Sequence, residues 1–284
     1  MKNKLMLCAS MAVFGTLGMF TRYIPLSSGQ LALARALLAA AMLCAFFALS
    51  GRKIPIKTLG RELWLLLASG AAMGVNWILL FQAYRYTSIS AATLSYYFAP
   101  VIVTVLCPIL FGEKLTLKSG ICFAASTVGA FLLIGFAGGG KNDVIGILFG
   151  LGAALFYATV IILNKYIKSV DGLTRTLLQF FAAVLTLFPY VLFAEGMSVS
   201  GFDMRALLAL LCVGLVHTGV TYCLYFSALK EISGQTAAIL SYIDPLVAVI
   251  ISVFVLGESI TPLQIVGGAL ILGFTLINEI KKEA

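Results

Sequence analysis

Runs of apolar residues long enough to cross a bilayer recur along the whole chain, separated by short polar breaks. A hydrocarbon core about 30 Å thick takes roughly 20 such residues as a helix. Inside lipid every backbone N–H and C=O must find its partner within the protein, so only helices or closed barrels span it. Runs of this length cross it as helices, which gives a bundle of transmembrane helices. Of the 284 residues, 61% are hydrophobic and 11% charged, against about 45–50% and about 25% in soluble domains.

Counting the runs predicts ten helices: Leu5–Thr21, Leu31–Leu49, Leu63–Tyr84, Ile89–Phe111, Ser119–Ala137, Gly146–Tyr166, Leu173–Phe193, Ala206–Leu229, Thr236–Leu256 and Leu263–Asn278. The opening MKNKLMLCASMAVFG resembles a signal peptide, but its apolar pattern continues to Phe20 without a cleavage site, so it reads as a retained first helix. Basic residues mark the cytoplasmic side of a membrane protein. Thirteen fall on one side, among them Lys2, Lys4, Arg52, Lys53, Lys114, Lys165 and Lys230, and four on the other, Arg22, Arg85, Lys141 and Arg205. Both termini are therefore expected in the cytoplasm. The net charge of +8 is scattered singly or in pairs, which sets orientation and excludes a nucleic-acid surface. Six cysteines lie within apolar segments without metal-like spacing and read as buried thiols.

Shifting the chain by 145 residues superposes Leu63 on Leu208, Gly74 on Gly219, Tyr97 on Tyr242, Pro100 on Pro245 and Gly112-Glu113 on Gly257-Glu258. Matches of Leu occur by chance in apolar sequence, whereas a proline and a Gly-Glu pair at one shift indicate a duplication. The expected repeats are residues 1–140 and 141–284, joined by the loop GGGKND from Gly138 to Asp143. Five helices in each half force the second copy to enter the membrane from the opposite face. Such inverted repeats belong to secondary transporters with a midplane site between the halves.

The residues FQAYRYTSISAATLSYYFAPVIVTVLCPILFGEKLT (81–116) and YFSALKEISGQTAAILSYIDPLVAVIISVFVLGESIT (225–261), together with this layout, resemble the drug/metabolite transporter superfamily, EamA type. The resemblance covers essentially the full chain. It implies movement of small metabolites such as amino acids, amines or drugs across the cytoplasmic membrane, with export the commoner direction and import the alternative. A membrane-embedded enzyme is the remote alternative; with one histidine and no nucleophile or metal-ligand cluster, no catalytic residue, cofactor or metal is expected.

Within the spans, Asp244 is the acidic residue placed deepest, and its repeat equivalent is Ala99, so the fold as such does not require an acid there. A carboxylate near the midplane costs about 2.5–3.5 kcal/mol and marks a cavity or a proton path. The structural alternative is a protonated Asp244 satisfying a carbonyl that Pro245 leaves unpaired. His217, opposite Ala72 in the repeat, is a second proton-coupling candidate or a packing residue. Arg35 is read as a gate residue, with snorkelling to the interface as the bland reading. Asn76, Trp77, Tyr97 and Tyr242 are substrate-binding candidates, since rings beside an acid suit an amine. The partners expected are a small-molecule substrate, membrane lipid and, as coupling ion, protons; monomer and homodimer both remain open.

Overall fold

A computed structural model describes residues 2–54, 56, 59–87, 89–114, 116–134, 143–196, 201–255 and 261–279. The repeat boundary, most of the GGGKND loop (138–142) and the Gly257-Glu258 pair lie outside the described residues. Among the described residues the structure is helical and contains no strand.

In chain order the helices are α1 (Lys2–Gly15), α2 (Leu17–Thr21), α3 (Ser28–Leu49), α4 (Arg61–Tyr86), α5 (Ile89–Tyr96), α6 (Ala99–Phe111), α7 (Leu117–Ile134), α8 (Asp143–Tyr166), α9 (Gly172–Tyr190), α10 (Met204–Leu211), α11 (Thr221–Leu229), α12 (Gly234–Leu240), α13 (Ile243–Phe254) and α14 (Pro262–Glu279). A π-helical turn, Val191–Glu195, extends α9, and a longer one, Cys212–Val220, joins α10 to α11. Among the described residues six segments are long and apolar enough to cross a membrane: Lys2–Thr21, Ser28–Leu49, Arg61–Ala83, Val144–Tyr166, Gly172–Glu195 and Met204–Leu229. The protein is thus an all-helical, multi-pass membrane protein.

Two expected helices are each broken in the middle. The span expected at Ile89–Phe111 divides into α5 and α6 at Tyr97-Phe98, and the span expected at Thr236–Leu256 divides into α12 and α13 at Ser241-Tyr242. The reason is the proline in the first turn of each second piece, Pro100 one residue and Pro245 two residues inside it. A proline lacks the N–H that would continue the preceding helix and fits the first turn of a new one. The start of α3 also moves, to Ser28 rather than Leu31. Ser27 caps it with a full capping box, its hydroxyl accepting from the Gln30 amide while the Gln30 side chain accepts from Ser27 N–H. At its far end α6 is closed by Gly112 at φ 64°, a left-handed position suited to glycine.

Helix α4 packs most extensively on α8 and α9, α3 on α9 and the Cys212–Val220 turn, α1 on α11 and α13, and α7 on α14. Small residues line these seams: Ala32, Ala36, Ala39 and Ala40 on α3, Ala153, Ala154 and Ala158 on α8, and Ala182 and Ala183 on α9 are all buried. In lipid, close backbone approach rather than hydrophobic exclusion holds helices together, and small residues permit it. Large apolar side chains such as Trp64, Leu185, Phe193 and Phe254 point outward, as a lipid-facing surface requires.

Candidate functional site

The break between α12 and α13 places Asp244 in the first turn of α13, next to Pro245. Free N–H groups at a helix start favour a carboxylate by about 0.3–1 kcal/mol, so the break itself makes the acid tolerable at this depth. Asp244 is half-buried, and the Tyr97 hydroxyl, from the break between α5 and α6, faces its carboxylate. Helix α1 crosses directly over this point. A Cβ added at Gly15 would lie 2.5 Å from the Asp244 carbonyl oxygen, so the crossing needs glycine.

Around these breaks the tyrosines form a continuous set. Tyr97 rests 5.9 Å from Tyr96 and Tyr96 5.5 Å from Tyr157, centroid to centroid. The Tyr157 and Tyr225 hydroxyls are 3.2 Å apart. Tyr225 lies 6.1 Å from Tyr222, which in turn meets Phe14, Trp77 and Phe180 at 5.0–6.2 Å. Rings from α1, α4, α5, α8, α9 and α11 therefore meet in one region, drawn from both ends of the sequence.

Arg35 joins the set at Trp77. It is 6% exposed, and its guanidinium carbon stands 4.6 Å from the Trp77 ring centroid. With α3 starting at Ser28, Arg35 is seven residues in, roughly 10 Å along the helix at 1.5 Å per residue. Snorkelling to the interface is therefore overturned: the side chain turns inward onto an indole face, facing the Tyr222 and Tyr96 hydroxyls.

His217 is brought to different partners. Its Nε2 is 2.9 Å from Thr16 Oγ1 and its Nδ1 3.3 Å from the Cys212 carbonyl oxygen, with Phe20 against the ring. It sits in the π-helical turn Cys212–Val220, where Thr218 and Thr221 donate to carbonyls five residues back at 2.7 and 2.8 Å. Both ring nitrogens thus face groups other than Asp244. Asn76 donates to the Ala153 carbonyl at 2.6 Å, joining α4 to α8. Tyr242 is 0% exposed and shares a hydrogen bond of 2.9 Å with Thr127, packed among Ala130, Leu246 and Ile271 with its ring 6.2 Å from Tyr97.

Polar contacts gather at the two ends of the bundle. At one end Glu195, whose side chain is 2% exposed, accepts from Ser27, from the Gly29 amide at 3.0 Å and from Arg85 at 3.1 Å. Gln82 donates to the Tyr190 hydroxyl beside it. At the other end Glu113 accepts from Lys165 and from the Gly234 amide, 3.1 Å to each oxygen, at the start of α12. Lys165 also donates to the Ile232 carbonyl at 3.2 Å. Nearby, Glu62 accepts from the Lys168 and Ser169 amides at 3.0 and 3.2 Å. Asp171 caps α9 through the Leu173 and Thr174 amides and lies 4.0 Å from Arg52. Partial burial raises the Asp171 carboxyl, but the Thr174 hydroxyl and amide, Arg52 and the Leu173 amide outweigh it and hold it below its ordinary range.

Several of these side chains escaped the sequence reading. Glu113 reads from the sequence as a solvated helix end, and for neither Glu113 nor Glu195 does anything local announce a partner more than 50 residues away in sequence. Arg175 is 0% exposed and donates to the Ile167 carbonyl at 2.6 Å and the Asn164 carbonyl at 3.2 Å, closing the end of α8. Ser69, Asn164 and Gln179 form a buried polar triangle between α4, α8 and α9 at 2.8–3.2 Å. Among the described residues no three His, Cys, Asp or Glu side chains cluster as a metal centre would need.

The family model described as the EamA-like transporter family matches residues 1–135 and again residues 144–278. An "Uncharacterized transporter YxxF" of Bacillus subtilis (strain 168) is 28% identical over 277 residues, 96% of this chain and 88% of that protein. An "Uncharacterized transporter" of Archaeoglobus fulgidus is 30% identical over 197 residues, 69% of this chain and 68% of that protein. A "Probable amino-acid metabolite efflux pump" of Salmonella typhimurium is 27% identical over 179 residues, 60% of each chain. A solved chain titled "Crystal structure of protein" superposes with a TM-score of 0.84 at 18% identity, covering 98% of this chain and 97% of that one.

Proposed function

The chain belongs to the EamA-like transporter family, a membrane transporter and not an enzyme, and from that premise we propose a secondary transporter that exports a small ammonium-bearing metabolite by alternating access. In this reading ten spans form two inverted repeats, residues 1–140 and 141–284, in the cytoplasmic membrane with both termini inside. Three observations support the duplication: the family model matches twice, each half carries a helix broken before a proline, and the broken helices sit in corresponding positions. Discontinuous helices of this kind hold substrate and coupling ion in inverted-repeat transporters.

The observation that carries the proposal is Asp244 at a helix break, faced by Tyr97 from the other break and ringed by tyrosines. Asp244 binds the ammonium group, or the proton that replaces it, and Trp77 and Tyr97 supply ring faces worth about 0.5–2 kcal/mol to a cation. Tyr242 and Asn76 act behind this shell, Tyr242 as backing for Tyr97 and Asn76 as the tie that holds α4 against α8 beneath Trp77. His217 is the second proton-coupling candidate, acting through Thr16 and α1 rather than by touching Asp244. The relative named as an amino-acid metabolite efflux pump supports the export direction and the class of cargo.

The test is flux in proteoliposomes holding only this protein, loaded with amino acids and amines, with and without a pH gradient. Asp244→Asn is expected to insert and elute as the parent does yet lose at least about tenfold in flux, the loss of one charge-assisted contact. Unchanged flux with unchanged pH dependence would overturn the assignment.

A further inference from the structure

At the Glu195 end of the bundle two arginines gather at a single ring. The guanidinium carbon of Arg205 stands 3.8 Å from the Tyr23 ring centroid, and that of Arg22 stands 5.9 Å from the same centroid. Both arginines are exposed, and the ion pairs of the described residues include neither of them. Asp203, the nearest acid in sequence, accepts from the Ala206 amide at 2.7 Å, and Glu195 is spent on Ser27, Gly29 and Arg85. Two cations brought together favour an anion beside them. Arg205, close on the ring, keeps in its plane the fork of N–H groups that matches a phosphate.

The pair stands at the rim of two spans: Arg22 directly follows Lys2–Thr21, and Arg205 is the second residue of Met204–Leu229. Beside it an apolar groove of about 270 Å³ runs along α3, lined by Leu26, Leu33, Ala34, Leu37, Phe202 and Leu210. Gln30, a polar member of the lining, is held in the capping box and donates to the Gly196 carbonyl at 2.9 Å. Tyr23, Leu26, Phe202 and Leu210 all pack on the buried cluster of Ile24, Ala209 and Val213, so the ring that gathers the arginines and the near end of the groove share one support. Leu37 lies nine residues after Ser28, roughly 14 Å further along α3. It is exposed, so the groove opens toward the lipid face.

We propose that this is a specific site for an anionic phospholipid, with its phosphate on Arg22 and Arg205 and one acyl chain laid in the groove along α3. The groove alone confers no preference, because lipid tails are as apolar as the leucines that line it. The arginines select the headgroup, as basic pockets beside transmembrane helices do, and the groove fixes one chain. A zwitterionic headgroup would bring its own ammonium group to the same two cations, which favours a lipid of net negative charge. The site shares no residue with the Asp244 region and stands whether or not Asp244 carries substrate.

Lipid binding to the purified, delipidated full chain in detergent tests this, read by native mass spectrometry and by thermal stabilisation. Dioleoyl phosphatidylglycerol is compared with dioleoyl phosphatidylcholine, with dioleoylglycerol, which lacks the phosphate, and with glycerol phosphate, which lacks the chains. Phosphatidylglycerol is expected to stay bound at one molecule per chain and to raise the melting temperature most. Arg22→Gln combined with Arg205→Gln, both at exposed positions, should weaken its binding about 30-fold, the worth of two basic residues at a membrane surface, and bring it level with phosphatidylcholine. Ala34→Phe, which fills the groove, should weaken it in a chain that keeps both arginines. Equal binding of the two phospholipids to the parent, a preference that survives the double arginine variant, binding unchanged by Ala34→Phe, or equal stabilisation by glycerol phosphate overturns the inference. A lipid-free dimer that Ala34→Phe dissociates would also overturn it and assign the groove to a second copy of the chain.

Discussion

Charged side chains in this bundle divide by what meets them. Arg175 closes the end of α8 by donating to carbonyls that the helix leaves unpaired, and this makes it structural. Removing a buried charged donor leaves those carbonyls without partners, at about 1.5–3 kcal/mol. Arg175→Met, similar in length but unable to donate, is expected to lower the thermal midpoint by several degrees while leaving the charge selectivity of ligand binding intact. A midpoint unchanged within error, measured on the detergent-solubilised protein, would show that the carbonyls find water instead. Arg35, its counterpart in burial, rests on the Trp77 ring beside Tyr222, so Arg35→Gln should move selectivity more than stability. Sequence reasoning located Arg35, Trp77, Tyr97 and Asp244 individually, because an ionisable or aromatic residue in an apolar run is conspicuous. It could not assign Arg35 to Trp77, since the pairing depends on where α3 begins, and that is set by the capping box between Ser27 and Gln30.

The helices show where local rules suffice. Apolar run length predicted six of the spans closely, but the breaks before Pro100 and Pro245 and the π-helical turns were missed. A proline in a helical run is compatible with a kink or a stop, and which of these occurs depends on whether neighbours can satisfy the freed carbonyls. The start of α9 is governed locally. Asp171 caps it, and partial burial, which raises its carboxyl, is outweighed by the Thr174 contacts, Arg52 and the Leu173 amide, which hold it below the ordinary value. A depressed folded value means the carboxylate stabilises fully above the unfolded value, about 3.9, and loses that contribution as pH falls through the folded one. Asp171→Ala should cost about 1 kcal/mol near neutral pH, and the gap between parent and variant melting temperatures should close below about pH 4. A gap that persists into acid would assign the cost to side-chain packing in place of the charge.

Glu195 and Glu113 sit at opposite ends of the bundle, and each ties helices that are distant in sequence: Glu195 draws α9 to the start of α3 and the end of α4, Glu113 draws α6 to α8 and the start of α12. In an alternating-access cycle such ties must break in turn, so weakening one should bias the molecule toward opening at that end. Glu113→Gln is expected to raise the labelling rate of a cysteine introduced near Ile232 by a membrane-impermeant reagent, and Glu195→Gln that of one near Leu26, each with little effect at the other end. Equal effects of both variants at both ends would show that the two ties do not belong to separate gates. From the amino-acid order came the membrane solvent, the helical class and the short roster of polar residues inside it, because each of these follows from run length, spacing and the cost of charge in lipid. The partner of each polar residue came from the packed bundle: Asp244 to Tyr97, Arg35 to Trp77, His217 to Thr16, Glu113 to Gly234. Those pairings arise where helices far apart in the chain cross, and the crossing points depend on where small residues such as Gly15 let two backbones touch, which no stretch of sequence specifies alone.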